Sequence, residues 1–125
     1  MYNVVVLSLE KKFYRYQSKL QALIIAAMRH EKTPGLVEVY LLGDKLMNKN
    51  VLSYPAPPDF PRPDLEQKIL GEIYLNPDYI KAKKEDLDFM ALHGFLHLLG
   101  YDHKKKSDTI KMETKEKKLL RALSP

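Results

Sequence analysis

Apolar and polar positions follow three different rhythms along this chain, and each rhythm predicts an element. "VVVLSL" (4–9) is a short β-branched run that reads as a buried strand. From about Lys12 to His30 the apolar residues Tyr16, Leu20, Leu23, Ile24, Ala27 and Met28 recur at spacings of three and four, which places them on one helical face; Lys19, Gln21 and Arg29 lie off it. "TPG" (33–35) ends that helix. "VEVYLL" (37–42), "NVLSYP" (50–55) and "GEIYLN" (71–76) read as a second, third and fourth strand, and "PDYI" after them as a turn or short helical start.

From about Lys84 to Leu99 the helical pattern is apolar almost all round, which predicts a helix buried in the centre of the domain, with Gly100 placed to end it. A last helix is expected from Asp108 to Leu123, with Ser107 as its N-cap. Five of the eight prolines fall in "PAPPDFPRP" (55–63), where fixed φ and missing N–H donors predict a loop. The order is β, α, β, β, loop, β, α, α. It predicts an α/β (α+β) fold: one domain, residues 1–125, with helices packed on a mixed four-stranded sheet.

Composition changes this picture in two ways. There are no cysteines, so disulfides and thiolate metal sites are excluded and His, Asp and Glu are the available ligands. The formal net charge is +5, and residues 104–121 hold eight Lys or Arg against three Asp or Glu, so that segment carries the whole excess. It suits an anionic partner such as nucleic acid, or else is a solvated lysine-rich helix. No apolar run approaches the roughly 20 residues of a membrane helix, and the first ten residues lack a signal-peptide pattern, so a cytoplasmic protein is expected.

The candidate chemistry lies in "HGFLHLLGYDH" (93–103), which contains three of the four histidines. His93 and His97, four apart on a helix, point from one face one turn apart. Gly100 lets the chain leave the helix and return His103 as a third ligand. Three neutral imidazoles around Zn²⁺ would leave a position for water acidified to a pKa of about 7, which is a catalytic rather than a structural pattern. The alternative is three histidines making ordinary hydrogen bonds. The spacing is that of metzincin proteases, but the position of their general base is occupied by Gly94, which argues against proteolysis. Gly94 costs about 1 kcal/mol in a helix relative to Ala, and either permits close backbone approach or merely fills a small space. Asp102 either caps the turn, orients a histidine or acts on the water.

These residues resemble the YbeY-type rRNA maturation factors, whose signature H-G-x-L-H-L-x-G-Y-D-H is met at every fixed position. "NVLSYP" is similar to the family's T-[DN]-V-L-S-F-P and "LGEIYL" (70–75) to its L-G-D-I strand, while Met112 and Glu116 stand where its last helix tends to have Met and Glu. The resemblance spans roughly Val37 to Leu123. It implies one Zn²⁺ per chain held by His93, His97 and His103, hydrolysis of single-stranded RNA in ribosomal RNA maturation, including the 3′ end of the small-subunit RNA, and ribosome quality control. In one place the chain departs from the family. Before V-L-S-F-P the family has L-N-x-x-[YF]-R, whereas "LLGDKLMNKNVLSYP" carries no arginine, and Lys45 or Lys49 lacks the planar fork of that side chain.

On this reading Lys104, Lys105, Lys106 and Lys49 would hold phosphates, and Tyr54 and Tyr101 would pack or stack on unpaired bases. The partners expected are single-stranded or ribosomal RNA and small-subunit ribosomal proteins, with no membrane. A metal-containing assembly factor without turnover is the competing expectation, and a peptidase a more distant one.

Overall fold

The computed structural model describes residues 1–57, 68–102 and 104–123. The strands β1 (Tyr2–Ser8), β2 (Gly35–Leu41), β3 (Val51–Pro55) and β4 (Ile69–Leu75) form one mixed sheet in the order β1-β2-β4-β3. β1 and β4 run parallel to β2, and β3 lies antiparallel to β4 at the edge. A 3-10 turn (Lys11–Tyr16) leads into α1 (Gln17–Glu31), α2 (Pro77–Ala82) follows β4, and α3 (Leu87–Leu98) and α4 (Lys106–Leu123) complete the fold. The expected sheet and element order are present.

Side-chain alternation explains where the core lies. Val4, Val37, Val39, Leu41, Ile73 and Leu75 turn to one face and are buried with Leu20, Ile24 and Met28 of α1 and Leu92, Phe95 and Leu96 of α3. The opposite face carries Val5, Leu7, Glu38, Tyr40, Glu72, Tyr74 and Tyr54, with Val5 43% and Leu7 48% exposed. β1 is therefore not the fully buried strand its apolar run suggests. It is an edge strand of a sheet covered on one side, so every second residue faces outward.

The helix starts also differ from the sequence expectation. The first helix begins as 3-10, with Phe13 N–H donating to Glu10 O at 3.1 Å, which turns Phe13 into the core. α3 starts at Leu87 rather than near Lys84, because the preceding residues close α2 and Asp86 caps the new helix by accepting from Asp88 N–H at 3.3 Å. α4 starts at Lys106, where Thr109 N–H already reaches Lys105 O at 3.0 Å; Ser107 thus lies within the first turn and is not the N-cap. The expected proline loop is described only at Pro55–Pro57, and its residues 58–63 lie outside the described residues.

Candidate metal centre

α3 is seated on the sheet through Gly94. A Cβ at this position would stand 2.9 Å from Ile73 Cγ2 and 3.2 Å from Val51 Cγ2, and the Ser53 hydroxyl donates to Gly94 O at 2.7 Å. Of the two readings of this glycine, close approach is the one observed. The position faces β3 and β4, so a glutamate there would be driven into the sheet and not toward a site between α3 and α4.

A 100° step along the helix turns His93 from the sheet toward α4. Its Nδ1–H donates to Glu116 Oε2 at 3.1 Å, and the Glu116 side chain is 3% exposed. With the Glu116 carboxylate as acceptor, Nδ1 is the protonated ring nitrogen of His93 and Nε2 is turned toward His97. His97, one turn on, brings its own Nε2 to 3.2 Å from His93 Nε2, with the rings 4.8 Å apart and steeply inclined. Two ligands on a tetrahedral zinc, each about 2.0–2.1 Å from the ion, stand about 3.3 Å apart, so the pair fits two adjacent vertices.

The end of α3 is fixed by backbone bonds. Gly100, at φ +102°, lets Gly100 N–H reach His97 O at 3.1 Å and Tyr101 N–H reach Leu96 O at 3.2 Å, the two bonds of a Schellman stop. Asp102 then accepts from Lys104 N–H at 3.1 Å, which is the turn-capping role. His103 lies outside the described residues, and among those described no group of three His, Asp or Glu side chains is placed to hold a metal.

The remaining candidates divide by position. Lys104, Lys105 and Lys106 are exposed directly after the histidine segment, and Lys49 is exposed before β3. Tyr54 is not brought to His93 or His97. It alternates with Ser53, which faces α3, and its ring meets the edge of Tyr74 at 5.7 Å on the open sheet face. Tyr101 packs partly against the core. Nothing in the sequence assigns Glu116 a role, but its spacing of four from Met112 and three from Leu119 places it, unlike Glu113, on the same inward face as those two apolar residues.

The profile of the family described as Endoribonuclease YbeY matches residues 6–124. The chain belongs to the YbeY endoribonuclease family. The protein called Endoribonuclease YbeY of Agathobacter rectalis is 28% identical over 147 residues, covering 88% of this chain and 89% of that protein. Its namesake in Bacillus subtilis (strain 168) is 45% identical over 62 residues, 43% of this chain and 40% of that protein. That of Rhodopseudomonas palustris (strain BisB18) is 39% identical over 83 residues, and the match spans about half of its length (49%). A solution structure from Thermotoga maritima superposes over 95% of this chain and 90% of that one, with a TM-score of 0.52 and 19% identity, which supports the fold. Among the described residues no helix is long and apolar enough to cross a membrane.

Proposed function

We propose that this chain is a metal-dependent endoribonuclease of the YbeY family that hydrolyses single-stranded RNA in ribosomal RNA maturation and ribosome quality control in the cytoplasm. The observation that carries the reading is the His93–His97 pair, with Nε2 atoms 3.2 Å apart and Glu116 holding Nδ1 of the first, inside the family signature. The ligand set is His93, His97 and His103, with one Zn²⁺ per chain. When bound, the metal supplies Lewis acidity to a phosphoryl oxygen and lowers the pKa of water. The protein's own part is orientation. Glu116 holds the His93 ring in one tautomer and makes it a better donor, the Gly100 stop ends α3 one turn beyond the pair, and Asp102 caps the turn that follows. Lys104, Lys105 and Lys106 lie where they can neutralise the phosphates of a bound strand.

A second reading, an assembly factor that binds RNA or a small-subunit ribosomal protein without turnover, is favoured by one observation: residues 43–50 contain no arginine, and Lys45 and Lys49 there are both exposed. Cleavage of a labelled unstructured RNA by zinc-loaded protein, beside a His93→Ala/His97→Ala variant purified identically, separates the two. Cleavage by the native chain alone supports the nuclease. Metal and RNA binding without cleavage supports the assembly factor.

A further inference from the structure

The helix that supplies Glu116 to the histidine pair has a second face with a different character. Met112, Glu116 and Leu119 turn inward, whereas Lys111, Thr114, Lys115 and Lys118 line an open groove together with Ile110 and Tyr101. Ile110 is 54% exposed on this otherwise cationic face, beside a tyrosine that is only half-buried. Lys115 is already committed, since its ammonium lies 2.9 Å from a Glu31 oxygen. Lys111 and Lys118 make no ion pair among the described residues, and seven helical residues separate them by about 10 Å, enough to meet more than one phosphate. The opposite character appears on the open sheet face, where Glu38 and Glu72 stand directly across from each other. An approaching polyanion is thus repelled there and drawn to α4.

We propose that this outer face of α4 is a guiding track for single-stranded RNA, with Lys111 and Lys118 holding phosphates and Ile110 with Tyr101 supporting an unpaired base. The inference rests on the RNA-cleaving reading and deepens it. The track adds affinity for strands longer than the scissile site needs, without reading sequence.

The test compares native protein with Lys111→Gln/Lys118→Gln, both exposed positions, leaving Lys115, Glu116 and the histidines intact. Binding of a labelled, unstructured 2′-O-methyl oligonucleotide of about twenty nucleotides is followed by anisotropy across a salt series. The expected result is an affinity about tenfold lower at low salt and a log–log salt slope shallower by about 1.4, two single-strand contacts at about 0.7 each. Ile110→Ser should weaken binding severalfold without changing the slope. Unchanged affinity and slope in the lysine variant would overturn the track, as would equal competition by a polyglutamate of the same charge. RNA binding without histidine-dependent cleavage would sink the nuclease reading while the slope still decides the track. Failure of the native chain to bind RNA would remove both.

Discussion

At the scale of single residues, the proposed site depends on two positions outside its ligand set. Glu116 fixes the His93 tautomer from a nearly water-free position, so its carboxylate should matter more for metal affinity than for folding. Glu116→Gln keeps the shape and one oxygen acceptor but loses the charge that strengthens the bond. We expect zinc affinity in competition titrations to fall by about ten- to a hundredfold with little change in circular dichroism. Gly94 works by absence. Gly94→Ala gains about 1 kcal/mol of helix propensity but forces a methyl to 2.9 Å from the β-branched Ile73, an overpacking that costs about 1–3 kcal/mol. Since Ile73 is buried and stiff at χ1, the clash should win, and the variant should unfold at lower denaturant concentration. The histidine spacing was legible in the sequence because i and i+4 is a property of one helix. The Glu116 partnership was not, because it joins residues 23 apart and depends on how α3 and α4 cross.

At the scale of elements, one buried amide organises the approach to β3. Asn76 donates to Asp44 Oδ1 at 2.8 Å and to Met47 O at 2.9 Å, and its own Oδ1 accepts Tyr79 N–H at 3.1 Å, while its backbone N–H bonds Asn50 O. It thus caps α2 and pins the segment between β2 and β3, the stretch in which the sequence departs from the family pattern. Asn76→Ala removes the cap and strands the Met47 carbonyl, which should cost about 2–3 kcal/mol in chemical denaturation. Asn76→Asp should be no better, because it keeps the cap acceptor but turns an oxygen toward Met47 O and sets a second carboxylate against Asp44. The strands and the three long helices were readable from period and β-branching. Their starts were less so, because a 3-10 entry, the Asp86 cap and the early turn at Lys106 are settled by local hydrogen bonds that compete with the apolar pattern.

At the scale of the whole molecule, the one-sided sheet separates two surfaces of opposite character, with the lysine-rich helix belonging to the helical layer and an acidic, tyrosine-bearing ladder standing on the open face. Glu38 and Glu72 are cross-strand neighbours, an arrangement that is unfavourable for like charges unless something compensates. The neighbouring tyrosines do so. Tyr40 donates to Glu38 at 2.6 Å, Tyr74 donates to Glu72, and the two rings stack 5.1 Å apart. The hydrogen bond to Glu72, reinforced by partial burial and by the carboxylate charge, pushes the Tyr74 hydroxyl up to about 12, and the same causes from Glu38 raise Tyr40. Both shifts favour the protonated phenol in the folded state. Their contribution to stability is therefore complete below the ordinary tyrosine value of about 10 and is lost as pH rises through the folded values. Titration of the eight tyrosines by tyrosinate absorbance should show a late fraction in the native chain. That fraction should vanish in Tyr40→Phe/Tyr74→Phe, which leaves the two glutamates facing each other without their donors. The variant should consequently be less stable than the native chain at neutral pH, and the difference should narrow above about pH 10, where Tyr40 and Tyr74 ionise in the unfolded chain while the folded chain still holds their protons. A titration in which all eight ionise together would show that the ladder does not hold these protons.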